Sequence, residues 1–255
     1  MGAMNVREIT CRNALTRTGI AGYDYCLNPY VGCAHGCSYC YATFMKRFTG
    51  HPEPWGTFVD IKINAADVLR RQLRRTRKGA LLIGTVTDPY QPLEEKYHIT
   101  RDCLYALVSS PLSVNILTRS ALMVRDIDIL RQLPSVEAGF SITTSREEIR
   151  RIFEPGAPPI TSRVKALKAI HDAGIRTYVF IGPMLPMDPA ALAGMIEGIA
   201  DEVLIDRLNY PGKIAGILRS TGLAAHMTPD RFTAVARELC DILTEKGIPV
   251  SILFP

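Results

Sequence analysis

The chain has 255 residues, 47% of them hydrophobic and 22% charged, with a net charge of +5 at neutral pH, which is ordinary globular composition. No run approaches the roughly 18 consecutive apolar residues of a membrane span, and the opening "MGAMNVREITCRNA" lacks the apolar core of a secretory signal. Seven cysteines without framework spacing argue against a secreted disulfide scaffold and for a reducing, cytoplasmic setting, where clustered cysteines serve metals or catalysis.

A first strand is expected around 25–29, followed by the loop "YVGCAHGCSYCYA" (30–42) with Cys33, Cys37, Cys40, Gly32 and Gly36, and a helix from near Tyr41. "RFTGHPEPWGTFVD" (47–60), with the chain's one tryptophan, is expected as a packed loop at one side of that cysteine cluster. Apolar spacing then predicts a helix over 64–77 and a strand at "LLIGTVT" (81–87). Further strands are predicted at "SVNILT" (113–118) and "VEAGFSIT" (136–143), and a helix over 161–173 that Gly174 caps. Strands at "IRTYVFIGP" (175–183) and "EVLIDRL" (202–208), a helix over 229–246 and a last strand at "IPVSILF" (248–254) complete the chain.

Near-continuous apolar strands alternating with helices predict an α/β fold with a parallel sheet. About seven strands fall short of a closed eight-stranded barrel, so a partial, open barrel in a single domain over 1–255 is expected. In such folds the working site lies at the C-terminal ends of the strands. The cysteine loop directly follows the first strand and so belongs there.

A structural zinc site takes four ligands, usually as two short-spaced pairs. Here the spacing is C-x3-C-x2-C, and Cys11, Cys26, Cys103 and Cys240 are scattered. Iron–sulfur clusters also take four thiolates as a rule. Three cysteines therefore point to a [4Fe–4S] cluster on Cys33, Cys37 and Cys40, with one iron left for a ligand that is not protein. The alternatives are a non-catalytic, zinc-binding protein and an iron–sulfur electron carrier or sensor.

The arrangement C-x3-C-x-aromatic-C, with Tyr39 before Cys40, resembles the radical S-adenosylmethionine (SAM) superfamily. With "GTVTDPYQPLE" (84–94) and "EPGAPPITSR" (154–163) in the same order, the chain resembles the spore photoproduct lyase-like branch over about 20–210, leaving a helix and strand at about 229–254. The resemblance implies a partial (β/α)6 barrel and SAM chelated at the open iron. It implies an electron donor such as a flavodoxin or ferredoxin, and reductive cleavage of SAM to a 5′-deoxyadenosyl radical that abstracts hydrogen from a substrate.

It also implies roles for particular residues. Thr87 and Asp88 would accept from the SAM amino group, unless they form a simple Asp-Pro turn. Ser141 and Thr143, on one face of their strand, would meet the ribose. Arg163 would pair with the SAM carboxylate, or with Glu154. Gly182 and Tyr39 would approach the adenine. One departure limits the transfer: Thr85 stands where the lyase branch carries its hydrogen-donating cysteine, and Cys103 is a poor substitute. Photoproduct reversal is therefore not expected, and the substrate stays open among a nucleobase, a peptide side chain and a small molecule. The basic run "LRRQLRRTRKG" (69–79) reads as a solvated helix end at the far side of the barrel rather than a nucleic-acid platform.

Overall fold

The computed structural model describes residues 4–254. Its strands in chain order are β1 (Asn5–Ile9), β2 (Leu15–Arg17), β3 (Tyr25–Leu27), β4 (Tyr30–Val31), β5 (Phe58–Lys62), β6 (Gly79–Ile83), β7 (Leu112–Thr118), β8 (Val136–Ser141), β9 (Arg176–Ile181), β10 (Glu202–Ile205) and β11 (Val250–Ile252). The main sheet runs β11-β10-β9-β8-β7-β6-β3-β2. Every neighbouring pair in it is parallel except β2 with β3.

The sheet has two different faces. Leu81, Ile83, Val114, Ile116, Ala138, Phe140, Val179, Ile181, Val203 and Ile205 are buried, and together they form the apolar face that receives the helices. Helices Ala65–Leu73, Ile99–Leu107, Ile160–Asp172, Pro189–Ile196 and Pro229–Glu245 each bury an apolar stripe, such as Leu167 with Ile170 or Leu239 with Leu243. Fully burying a side chain of this size contributes ~1.5–3 kcal/mol. On the other face, Tyr178 lies over Gly139, where a Cβ would sit 2.0 Å from the ring, and its hydroxyl donates to Asn115 Oδ1 at 2.5 Å. This layer fills the interior near the N-terminal ends of the strands. Open space is left at their C-terminal ends.

All seven expected strands are present, and several stop earlier than their apolar runs. The run at 81–87 leaves the sheet after Ile83 because Gly84 adopts φ +95 and turns the chain. The helix expected over 64–77 ends at Leu73. Beyond it, Arg74, Arg75, Arg77 and Lys78 would continue a face already carrying Arg70 and Arg71, and like charges at i,i+4 oppose each other. Gly174 ends the helix Ile160–Asp172 with φ +77, its N–H bonded to His171 O and that of Ile175 to Ile170 O.

A second sheet, β1-β5-β4, was not expected. Its central strand β5 begins in the last three residues of the segment expected as a loop (47–60) and runs two residues past it. Pro and Gly crowd the approach there, and Asp60 interrupts the apolar pattern. The structure accommodates Asp60 by placing its Oδ2 2.9 Å from His51 Nε2. Among the described residues no helix is long and apolar enough to cross a membrane.

Candidate active site at the mouth of the barrel

The loop from Gly32 to Cys40 folds as a compact turn over the ends of β3 and β6. Gly32, at φ +81, passes so close to β5 that a Cβ would lie 2.4 Å from Phe58 O, so only glycine fits. Within the loop, Gly36 N donates to Cys33 O at 3.2 Å and Cys40 N to Cys37 O at 3.1 Å. Cys33 and Cys37 are buried and Cys40 is half-buried. Burial pushes the Cys37 thiol up to about 12 and raises Cys33 and Cys40 as well. Such thiols are poor free nucleophiles, and metal coordination is what removes their protons.

The 84–94 motif fastens this loop. Thr87 Oγ1 donates to Gly32 O at 2.6 Å and accepts from Gln91 Nε2 at 3.2 Å, while Gln91 Oε1 accepts from Ala34 N at 2.9 Å. Asp88 accepts from Thr118 Oγ1 at 2.5 Å, Arg119 N at 2.8 Å and Tyr90 N at 2.9 Å, and lies 3.2 Å from His35 Nε2. Burial works to raise the Asp88 carboxyl, but His35 and these donors outweigh it and hold the group at about 2.

The 154–163 motif clasps the loop from the other side. Gly156 N donates to His35 O at 3.0 Å and Gly156 O accepts from His35 Nδ1 at 3.1 Å. A Cβ on Gly156 would lie 2.5 Å from Ala34 O. Glu154 is buried and accepts from Tyr39 Oη, from Thr143 Oγ1 at 2.9 Å and from Arg119 Nε at 3.3 Å. Its Oε2 lies 2.5 Å from Arg163 Nη2, and Arg163 donates further to Pro158 O and Ser141 O, each at 3.0 Å. Burial would raise the Glu154 carboxyl; the charges of Arg163 and Arg119 overcome that and keep it at about 2.

Above the clasped loop opens a cavity of about 260 Å³. Cys33, Cys37 and Cys40 line it, with residues from the C-terminal ends of β6 to β10: Thr85, Asp88, Arg119, Ser141, Gly182 and Asp206. Ser141 Oγ is buried there without a hydrogen-bond partner. Among the described residues no three His, Cys, Asp or Glu side chains gather as ligands for one metal ion; the thiols line the cavity instead.

The structure thus brings Tyr39, Thr87, Asp88, Ser141 and Gly182 to the cavity with the three cysteines. Thr143 and Arg163 are absent from its lining: both side chains stand behind it, bonded to Glu154. The arginines that do line it are Arg207, beyond β10, and Arg119, which follows β7 and also donates to Tyr39 Oη at 3.1 Å. Arg119 carries no motif of its own in "LTRSA". Only its position one residue past a strand end, where barrels place their working groups, marks it. Trp55 lines the cavity too, whereas His51 is buried between Asp60 and Glu53, with its ring 3.9 Å from that of Phe58. Cys103 is buried in the helix Ile99–Leu107.

Three thiols and an unpartnered hydroxyl thus share one cavity at the C-terminal ends of the parallel strands. A family model described as the radical SAM superfamily matches residues 27–197, and the chain belongs to that superfamily. It is a radical SAM enzyme, and SAM and an iron–sulfur cluster are the cofactors its family uses. An uncharacterized protein of Methanocaldococcus jannaschii is 32% identical over 183 residues, covering 72% of this chain and 69% of the relative. A protein of Pseudomonas phage M6 named radical SAM Nα-GlyT isomerase is 28% identical over 161 residues, 62% of this chain and 32% of that protein. The chain spans 56% of the length of its mycobacterial relatives. Among solved structures, spore photoproduct lyase complexed with dinucleoside spore photoproduct superposes with a TM-score of 0.71 at 12% identity, covering 97% of this chain and 82% of that one. That likeness is one of fold.

Proposed function

We propose that the chain holds one [4Fe–4S] cluster on Cys33, Cys37 and Cys40, and binds SAM in the adjoining cavity through the iron that no side chain ligates. The observation that carries this reading is that three thiols and the unpartnered Ser141 hydroxyl face one cavity. When bound, the cluster and SAM supply an electron and a 5′-deoxyadenosyl radical that takes hydrogen from a substrate.

The chain's own residues bind, orient and exclude water. Arg119 presents its guanidinium to the SAM carboxylate, as planar forks do. Ser141 Oγ takes a ribose hydroxyl. Gly182, whose Cβ would strike Phe180, leaves room for the adenine, and Tyr39 borders it. Thr87, Asp88, Thr143 and Arg163 have their polar atoms committed to the cysteine loop and to Glu154, so they act as positioning residues. Leu82, Leu117 and Phe180 give the cavity apolar walls. Photoproduct reversal is not part of the proposal, because Thr85 offers a hydroxyl where that reaction needs a thiol. The electron comes from a flavodoxin- or ferredoxin-type donor.

Anaerobic reconstitution tests the cofactor assignment. The expected result is roughly four irons and four sulfides per chain, with a reduced-cluster paramagnetic signal that changes when SAM is added. Zinc without iron, or a signal indifferent to SAM, contradicts it.

A further inference from the structure

We infer that the outer rim of the cavity is a platform for single-stranded nucleic acid, so that the substrate group is an unpaired base presented to the site; this rests on the radical SAM reading above. The first observation is a row of exposed rings. Tyr41 and Tyr210 line the cavity yet remain 43% and 53% exposed, and Phe44 and Phe48 are 40% and 76% exposed. Tyr41 and Phe44 stack with centroids 6.2 Å apart, and Phe44 meets Phe48 edge-on at 6.3 Å. Lys213 Nζ donates to Thr43 Oγ1, tying the segment that carries Tyr210 to the turn that carries Tyr41 and Phe44. Single exposed apolar residues are common. A continuous row leading from open surface into a reaction cavity marks a binding surface.

The second observation is charge. The rim segments "CYATFMKRFTG" (40–50) and "RLNYPGK" (207–213) contain Lys46, Arg47, Arg207 and Lys213 and no carboxylate. Among the described residues none of these four cations forms an ion pair. Exposed cations without an ion-pair partner also occur elsewhere among the described residues, as at Arg74, Arg75 and Lys165. What distinguishes these four is their place beside the exposed rings at the cavity rim. The neighbouring Asp206 is turned to Arg207 N at 2.8 Å and Asn209 Nδ2 at 3.0 Å.

Unpaired cations beside free aromatic faces match what a single strand requires: neutralised phosphates and stacking surfaces for its bases. A duplex hides those base faces and must extrude a nucleotide before one can enter a pocket. An acidic peptide would answer the charge but leave the rings uncovered. The basic run at 69–79 plays no part, since it leads into the N-terminal end of β6, opposite the cavity.

The test uses the reconstituted protein with SAM and a fluorescein-labelled oligothymidylate of about ten nucleotides. Anisotropy is expected to show the strand bound more tightly than the matching duplex, with Trp55 emission quenched. F44A/F48A is expected to weaken binding about tenfold or more, and K46Q/R47Q to reduce the slope of log affinity against log salt by roughly 1. Equal or tighter duplex binding, unchanged affinity in F44A/F48A, or preference for an acidic peptide or anionic vesicles would overturn the platform. SAM cleavage is assayed on the same wild-type preparation. Cleavage without strand binding overturns the platform alone; strand binding without cleavage overturns the radical SAM reading.

Discussion

Glu154 Oε2 and Arg163 Nη2 lie 2.5 Å apart, and neither side chain reaches solvent. Through Tyr39 and Gly156, this pair joins the helix Ile160–Asp172 to the cysteine loop. Removing one partner of a buried pair strands the other charge, at a cost of ~3–5 kcal/mol. Arg163→Ala is therefore expected to lose about that much stability in denaturant unfolding of the metal-free protein. A change below ~1 kcal/mol would show that the pair does not brace the loop.

The same pair sets an acid limit. The Glu154 carboxyl ordinarily titrates at 4.5 and is held here at about 2. A depressed carboxyl adds stability that is complete above its unfolded value and is lost as pH falls through the folded one. Stability should therefore drop between about 4.5 and about 2, and Glu154→Gln should flatten that part of the profile while lowering stability above it. An unchanged profile in the variant would assign the acid sensitivity elsewhere.

SAM affinity separates Arg119 from Arg163. Hydrogen bonds to charged groups contribute ~1.5–3 kcal/mol, so Arg119→Gln is expected to weaken SAM binding by one to two orders of magnitude in equilibrium dialysis. Ser141→Ala removes a hydroxyl that has no partner in the protein. It is expected to leave unfolding of the SAM-free protein unchanged while weakening SAM binding by roughly two- to tenfold. Full affinity in both variants would place SAM elsewhere.

Gly156 tests the clasp sterically. A Cβ there would lie 2.5 Å from Ala34 O and 2.8 Å from His35 O, both backbone atoms that cannot swing aside. Gly156→Ala is expected to displace the cysteine loop, lowering iron incorporation on reconstitution and costing ~1–3 kcal/mol. Normal iron content would mean that the loop tolerates the shift.

The parallel strands and the cysteine loop were legible because they rest on local signals: apolar runs between helical periods, and three thiols at short spacing. The β1-β5-β4 sheet was not, because β5 is a five-residue strand next to Pro and Gly whose one acid bonds through Oδ2 to His51, a partner no local pattern announces. Arg163 shows a second limit. Both readings of it, SAM carboxylate or Glu154, were open from sequence, and only the fold places its guanidinium on Glu154 and Arg119 in the cavity. Thr87 and Asp88 were identified as site residues by motif, yet their hydrogen bonds run to the cysteine loop and the β7 end, which spacing alone does not reveal.

The most direct test of the account is the yield of 5′-deoxyadenosine from SAM, under anaerobic reduction with dithionite, by wild-type protein and Cys37→Ala. The account predicts product from the wild type and none from the variant. Iron-loaded wild type that leaves SAM intact, with single-stranded oligonucleotides present as well as without them, would contradict it.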